Sequence, residues 1–277
     1  MIPSARSPWF SRWFSGQAYG LVRKSFDQVH IAGEEHLAAA LRRGPTLVVS
    51  NHSSWWDPMF VLVLTDRIVP AEFYAMMEAK NLRRLPFFAK VGGFGVDRDS
   101  RRDGARAIEY AGSLLDRPGR LVWIFPQGQE RPLHERPLSF FGGAARVAQR
   151  NPQATVVPVA LSYHHGATRE PEAYISIGAE LPVTKSAAAG TRAQVQAVTE
   201  QLERIEHERC EPGTQGFEPC FEHRKPGSGG LAERLLAAMS RPFVPGLRAL
   251  EYPSGSERKL ALSPTHPAGA ERGAAKG

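Results

Sequence analysis

His52 and Asp57 lie five residues apart in the stretch Ser-Asn-His-Ser-Ser-Trp-Trp-Asp-Pro. An aspartate can hold one imidazole nitrogen while the other nitrogen takes a proton from a hydroxyl or thiol, which is the orienting logic of a catalytic triad. On a continuous helix, residues five apart point roughly 140° away from each other. The pair can therefore hydrogen-bond only if a turn intervenes, and Ser53 and Ser54 supply one.

The segments on either side place this pair at the end of a strand. Residues 46–49 are apolar and β-branched, which predicts a buried strand, and residues 58–64 are apolar without turn residues, which predicts a buried helix. Pro58 suits the first helical position, so Asp57 is the expected N-cap. The pair is thus predicted in the crevice beyond a strand end, where open α/β sheets bind ligands. An ordinary helix cap beside a structural histidine is the alternative.

Two later stretches add polar groups at predicted strand ends. An arginine-rich turn occupies residues 97–102 and precedes a predicted helix over residues 103–115. Guanidinium groups suit a phosphate because several donors meet its oxygens in one plane, although a solvated charged turn is the alternative. Residues 121–125 form the clearest buried strand, and Pro-Gln-Gly-Gln-Glu-Arg follows it directly. A last predicted strand, residues 155–161, is interrupted by Pro158.

These four blocks, in this order, resemble the motifs of the glycerolipid acyltransferase superfamily, whose members include the 1-acylglycerol-3-phosphate acyltransferases. The resemblance implies a single α/β domain in which helices flank a central mixed, mostly parallel sheet. It also implies transfer of a fatty acyl group from coenzyme A or acyl carrier protein to a lipid hydroxyl, without a cofactor or a metal. His52 is then the general base and Asp57 its orienting partner. The residues implied in substrate binding are Asn51, Arg98, Arg101, Gln127, Gly128, Arg131 and Pro158.

The third block departs from the family motif Phe-Pro-Glu-Gly-Thr-Arg. Gln127 stands in the glutamate position, Gln129 in the threonine position and Glu130 in the arginine position, while Arg131 comes one place late. Glutamine keeps the shape of glutamate, but it loses the charge and adds a donor. The acceptor therefore stays open between a lysophospholipid of the 1-acylglycerol-3-phosphate type and another hydroxyl lipid, such as a glycolipid, an ornithine-type lipid or a glycosylated terpenoid.

Two other function classes stay open on the sequence. An acyl-thioester hydrolase can use the same His–Asp pair to pass the acyl group to water. No Gly-x-Ser-x-Gly nucleophile elbow occurs, which argues against a serine esterase. The second class is a non-catalytic lipid-binding protein, against which the intact pair argues.

The composition and net charge of the chain limit the kinds of partner that it can bind. A chain of 277 residues, 42% of them hydrophobic, suits one α/β domain with extensions. The net charge of +7 favours a negatively charged partner, such as an anionic membrane surface or acyl carrier protein. A nucleic-acid binder accounts for the charge but for none of the four blocks, so no nucleic acid is predicted. No apolar run approaches the roughly 20 residues of a spanning helix. No signal-peptide pattern is found either, so we expect a protein that is soluble or lies on a membrane.

Three segments are predicted along the chain. Residues 1–28 form an amphipathic, membrane-facing segment, because Trp9 and Trp13 share one side of a helix beside basic residues. Packing of these rings on the domain is the alternative. With the family resemblance, this segment predicts a peripheral location on the cytoplasmic face of a membrane. Residues 29–208 form the acyltransferase domain, and residues 209–277 form a partly disordered extension rich in Ser, Pro, Ala and Gly.

Four zinc-capable side chains surround the start of this extension: His207, Cys210, Cys220 and His223. Their residue types suit a zinc site, but their spacing matches no standard finger. Free thiols and surface histidines are the interpretation that we favour, so no metal is predicted.

Overall fold

The computed structural model describes residues 1–166, 168–182 and 184–221. Its helices are α1 (Pro8–Ser25), α2 (Glu34–Arg43), α3 (Asp57–Val63), α4 (Ala79–Arg84), α5 (Phe87–Val91), α6 (Arg101–Leu114), α7 (Gly143–Arg150) and α8 (Ala187–Cys210). A π-helical turn, Leu64–Ile68, continues α3. The strands are β1 (Val29–Ala32), β2 (Thr46–Ser50), β3 (Glu72–Glu78), β4 (Gly93–Val96), β5 (Arg120–Ile124), β6 (Thr155–His164), β7 (Glu172–Ile177) and β8 (Glu218–Pro219).

All of these strands belong to one sheet with the order β4-β3-β5-β2-β6-β7-β1-β8. The first five run parallel to one another. β7 is antiparallel to β6, β1 is parallel to β7, and β8 is antiparallel to β1. The predicted α/β fold with a mixed, mostly parallel sheet is confirmed.

The core consists of two apolar layers, one on each face of the sheet. Val48 of β2 faces the layer that α1, α2 and α3 cover, whereas its neighbours Leu47 and Val49 face the layer of α6, α7 and α8. Successive strand residues point to opposite faces, so a strand that is covered on both sides needs apolar residues at every position. This explains why β2, whose five residues are all buried, reads as an unbroken apolar run.

The parallel strands direct their carboxyl ends to one edge of the sheet. β2 ends two residues before His52, β5 ends directly before Phe125, and β4 ends two residues before Arg98. Side chains that are far apart in sequence therefore meet at this edge, where doubly wound sheets bind ligands.

One side of helix α1 packs on the domain, and its other side is exposed to solvent. Ala18 and Val22 are buried within the first apolar layer, while Trp9 and Trp13 are 74% and 50% exposed. Packing on the domain is thus confirmed for one side of α1, and contact of its exposed side with a membrane stays a prediction. Within the described residues, no helix combines the length and apolar character that crossing a membrane requires.

The described chain remains in the fold beyond residue 208, the predicted end of the domain. α8 continues to Cys210, and β8 adds a short strand beside β1. The backbone N–H of Cys220 donates to the carbonyl of Val29 at 2.7 Å, which extends this pairing. From residue 222 onward, the predicted extension lies outside the described residues.

Candidate active site

His52 and Asp57 form a hydrogen-bonded pair at the end of β2. His52 Nδ1 lies 2.6 Å from Asp57 Oδ2. The residues between them form a turn before α3, as the spacing argument requires. The imidazole also stacks on the ring of Phe125 at a centroid distance of 4.4 Å. Because carboxylates accept only, Nδ1 carries the proton, and Nε2 is left with the lone pair that a general base needs.

The carboxylate of Asp57 is fully buried and holds four donors. Its Oδ2 atom accepts from the backbone N–H groups of Ser53 and Ser54 at 2.8 and 3.1 Å, in addition to His52. Its Oδ1 atom accepts from the Tyr163 hydroxyl at 2.6 Å. The prediction that Asp57 caps α3 is wrong, because Trp56 is the N-cap and the Asp57 carboxylate turns back toward Ser53 and Ser54, before the helix. These contacts fix the carboxylate plane, and with it the imidazole.

Tyr163 is a partner of the dyad that the sequence does not reveal. Burial, reinforced by the Asp57 carboxylate, raises the pKa of its hydroxyl well above the ordinary value, so the group stays protonated and donates. Its ring packs against Phe26 and Phe60 at centroid distances of 5.8 and 5.4 Å. These contacts hold the hydroxyl in place over Asp57.

Two predicted substrate-binding residues instead support the turn that carries His52. Asn51 is buried, and its side-chain amide both donates to the carbonyl of Leu161 and accepts from the N–H of Leu161, each at 2.8 Å. The Gln127 side chain is also buried, and its Oε1 atom accepts from the backbone N–H of His52 at 2.6 Å. Both side chains therefore tie the His52 turn to neighbouring strands of the sheet.

Backbone amides near the start of the helix after Asp57 are also expected to stabilise a developing oxyanion. The structure contradicts this expectation. The N–H groups of Met59 and Phe60 both donate to the carbonyl of Trp56, at 2.9 and 3.0 Å. Pro58 has no N–H, so the first turn of α3 offers no free backbone donor.

A cavity of about 680 Å³ opens beside His52, within the range of small-ligand sites. Its inner wall is apolar and comes from α3, β3, β4 and α5, with buried residues Met59, Leu62, Phe73 and Val91. We call its outer part the cavity mouth and define it by the half-buried Glu78 and the exposed lining residues Trp55, Asn81, Arg84, Leu85, Arg98, Gln129 and Glu130. An apolar interior with a polar mouth suits a ligand that has a long apolar chain and a polar head.

Of the three arginines predicted to bind substrate, Arg98 is the one that lines the cavity mouth. Its Nη1 atom donates to the carbonyl of Gly128 at 2.9 Å, and its guanidinium lies over the ring of Phe141. Gly128 has a φ of 70°, and a Cβ there would lie 3.1 Å from the Phe141 ring. The turn after β5 thus favours glycine, because its φ is positive and because the Phe141 side chain approaches it closely.

The other predicted arginines lie outside the cavity lining. Arg101 begins α6 and is exposed. Arg131 reaches Glu135 at 3.8 Å and lies beside the Gln129 amide, whose oxygen, in one of its two orientations, accepts from Arg131 at 2.9 and 3.1 Å. Pro158 is buried in β6, where its carbonyl accepts from Gly178 at 2.9 Å. None of these three residues is part of the cavity lining, although the backbone N–H of Arg131 donates to the carbonyl of His52 at 2.9 Å.

The candidate zinc ligands are only partly within the described residues, because His223 lies outside them. Cys210 is exposed at the end of α8, and Cys220 is half-buried. Burial, with a smaller effect of Glu34, raises the pKa of Cys220 to about 12, which disfavours the thiolate that binds a metal. Among the described residues, no three or more His, Cys, Asp or Glu side chains are placed to hold a metal ion.

The comparisons with known proteins agree with this geometry. Residues 28–162 match the family model described as Acyltransferase. This range contains all four blocks, from the His52 turn to β6. This match supports assignment of residues 28–162 to the glycerolipid acyltransferase superfamily. The resemblance inferred from the sequence is therefore confirmed.

The acyltransferase domain is also similar to a yeast protein. Over 159 residues it is 26% identical to the 1-acyl-sn-glycerol-3-phosphate acyltransferase of Saccharomyces cerevisiae. The aligned region covers 55% of this chain and 49% of the yeast protein. The chain thus spans about half the length of this curated relative.

Sequence reasoning missed three functional residues of the acyltransferase domain. Tyr163 has one available signal, since it shares the alternating pattern of β6 with Leu161, whose side chain faces the α3 layer that contains Asp57. Glu78 and Arg84 lie at the end of β3 and in α4, and they line the cavity mouth. The sequence feature that could have identified them is their position at or after the end of a parallel strand, where ligand contacts concentrate.

Proposed function

We propose that this protein is an O-acyltransferase that moves a fatty acyl group from a thioester of coenzyme A or acyl carrier protein to a hydroxyl of a lysophospholipid or related lipid. The observation that carries the proposal is the 2.6 Å hydrogen bond between His52 Nδ1 and Asp57 Oδ2, at the wall of a cavity with an apolar interior. Membership of the superfamily supports the same reaction class.

In the proposed step, His52 Nε2 takes the proton of the acceptor hydroxyl. The hydroxyl oxygen forms a bond to the thioester carbonyl carbon, and the carbon–sulfur bond then breaks. The departing thiolate receives the proton from the imidazolium. Asp57 stabilises that imidazolium and keeps the ring oriented, and general-base catalysis of this kind is worth roughly 100- to 10,000-fold. The two substrates and His52 account for every bond and proton, so the scheme uses no cofactor.

The apolar interior of the cavity is the proposed place of the acyl chain. Each methylene group that leaves water contributes about 0.8 kcal/mol, which favours a chain along the wall of Leu62, Phe73 and Val91. The thioester carbonyl then lies near His52, and the acceptor head group lies at the cavity mouth. This arrangement separates the chain from the reacting atoms.

The exposed side of α1 is the proposed contact with an anionic membrane surface. Trp13 contacts Phe14, whose ring lies 5.2 Å from that of Phe87 in α5. Phe87 in turn contacts Phe88, which lines the cavity. A continuous series of aromatic rings thus leads from an exposed tryptophan to the cavity wall. Aromatic rings beside basic residues are typical of helices that lie in a lipid head-group layer, and we place this layer on the cytoplasmic face of the membrane.

Thiol release from acyl-coenzyme A and from acyl carrier protein, with and without lipid acceptors, tests the reaction. Wild type, His52→Ala and the control His36→Ala, on the exposed surface of α2, are compared. We expect release that depends on the acceptor and is lost only in His52→Ala. Release without an acceptor identifies a hydrolase, and equal release in His52→Ala excludes His52 as the base.

Sedimentation with lipid vesicles tests the membrane contact. We expect binding to vesicles with anionic lipid, and weaker binding after Trp9→Ala with Trp13→Ala. Arg12→Ala in α1 should also weaken binding, whereas Arg150→Ala, in α7 on the opposite face of the sheet, should not. Equal effects of the two arginine variants would show that net charge, and not α1, determines binding.

A further inference from the structure

The charged groups of the cavity mouth are balanced in sign. The side chains at the mouth that carry charge or amide groups are Glu78, Asn81, Arg84, Arg98, Gln129 and Glu130. Two are carboxylates and two are guanidiniums, so the mouth has no surplus of positive charge. The predicted Arg101 and Arg131 do not line the cavity, and the charge of Arg131 is offset by Glu135 at 3.8 Å.

Several of these groups are available to a ligand. Within the described residues, Glu78, Arg84 and Glu130 form no ion pair and their side chains make no hydrogen bond. Arg98, in contrast, is already bonded to the carbonyl of Gly128 at 2.9 Å and lies within 3.4 Å of Gln129 Oε1. The unpartnered groups therefore include two acceptors of hydrogen bonds and one donor.

The types of these groups discriminate between head groups. A phosphate monoester carries about −1.5 to −2 charges near pH 7 and offers acceptor oxygens. The dianion has no proton to donate to Glu78 or Glu130, and both carboxylates repel either ionised form. A sugar hydroxyl both donates and accepts, so it can bond to the carboxylates, to Arg84 and to the amides. Trp55, which is 57% exposed at the cavity mouth, adds a ring on which a sugar face can pack.

We infer that the acceptor is a lipid with a neutral, polyhydroxylated head group, such as a glycosyl lipid, and not a phosphate monoester. This inference rests on the proposed acyl transfer. Glu130 is the residue that determines the choice, because it places a carboxylate at the mouth where the family motif has an arginine. The replacement changes the local charge by two units.

The inference is tested by measuring acyl transfer to three acceptors. These are a dodecyl glucoside, lysophosphatidate with a chain of the same length and a lysolipid with an ammonium head group. We expect kcat/KM for the glucoside to exceed that for lysophosphatidate by about 10- to 100-fold, the effect of one hydrogen bond to a charged group. Glu130→Arg should reverse this order, and Glu130→Gln should lower kcat/KM for the glucoside alone. The control Glu109→Arg makes the same charge change on the exposed surface of α6 and should leave the order unchanged.

The outcomes separate this inference from the reaction itself. If lysophosphatidate or the ammonium lipid is the best acceptor, the inference is wrong and the acyl transfer stands. If Glu109→Arg reverses the order as Glu130→Arg does, total charge and not the cavity mouth sets the preference, and the inference is wrong. If no acceptor changes thiol release, the proposed function fails, and the inference fails with it.

Discussion

Replacement of Asp57 by asparagine should separate the charge of this residue from its orienting role. The backbone N–H groups of Ser53 and Ser54 both point at the position of Oδ2. An asparagine therefore places its carbonyl oxygen there, because its amide nitrogen would face two donors. That oxygen still accepts from His52 Nδ1–H, and the amide nitrogen donates to the Tyr163 oxygen. The imidazole keeps its orientation and tautomer but loses the neighbouring negative charge.

The size of the effect follows from the geometry of the pair. With Nδ1 and Oδ2 at 2.6 Å, the centres of charge are about 4 Å apart, and their attraction is about 4 kcal/mol at an effective dielectric constant of 20. This is an upper limit for the stabilisation of the imidazolium in the transition state. It corresponds to a loss in kcat of at most about a thousandfold. We expect a loss of about 100- to 1,000-fold with KM unchanged.

This effect is measured as acceptor-dependent thiol release, compared among wild type, Asp57→Asn, Asp57→Ala and His52→Ala. Asp57→Ala loses both charge and orientation, so it should be slower than Asp57→Asn. The control Asp66→Asn, in the π-helical turn after α3, should behave as wild type. An Asp57→Asn variant within a few-fold of wild type would refute the electrostatic argument. A variant as inactive as His52→Ala would show that orientation was lost as well.

Three further changes have defined outcomes. Ala75→Phe adds a ring at the cavity wall and should shift the preference of kcat/KM toward shorter acyl chains, by about fourfold for each excluded methylene. Tyr163→Phe removes a buried hydrogen bond to Asp57 and should lower the free energy of unfolding in urea by about 1.5–3 kcal/mol. Partial burial raises the pKa of Glu72, but hydrogen bonds from Arg117, Tyr74 and Arg120 outweigh this and lower the pKa to about 2. Glu72→Gln should therefore be less stable than wild type above about pH 4.5, and the difference should vanish as the pH falls toward 2.

For each of these three predictions, a specific result would contradict the reasoning. An unchanged chain-length profile in Ala75→Phe would place the acyl chain elsewhere. If the free energy of unfolding of Tyr163→Phe equals that of wild type, the bond to Asp57 contributes no stability. A stability difference for Glu72→Gln that persists at pH 2 would show that packing, and not the carboxylate charge, is responsible.

The sequence predicts the parts of the site whose geometry depends on short segments. The strand over residues 46–49 is part of β2, and the turn after it brings His52 and Asp57 together as the spacing requires. Both depend on local patterns of apolar and turn residues, which a single sequence contains.

The predictions that fail depend on the direction in which a side chain points or on the pairing of strands that are distant in sequence. An aspartate before a proline is favoured at an N-cap, but residue type does not decide whether its carboxylate points along the helix or back into the turn. Arg101 and Arg131 have the expected residue type but do not line the cavity, and their role in substrate binding stays a prediction. Tyr163 reaches Asp57 only through the register of β6 beside β2, which no local pattern specifies. The same holds for β8, whose two residues add to the sheet beyond residue 208.

The tryptophans give this protein separate optical reporters. Trp9 and Trp13 are exposed on α1, Trp55 is exposed at the cavity mouth, and Trp123 is completely buried in β5. A water-soluble quencher therefore reaches these three exposed indole rings and not that of Trp123, while the fifth tryptophan, Trp56, is half-buried. Vesicles that shield α1 should protect the first two from quenching, and an occupied cavity mouth should protect Trp55. Variants that keep one exposed tryptophan beside Trp123 can thus follow either membrane contact or head-group binding, with the emission of Trp123 as the internal record of folding.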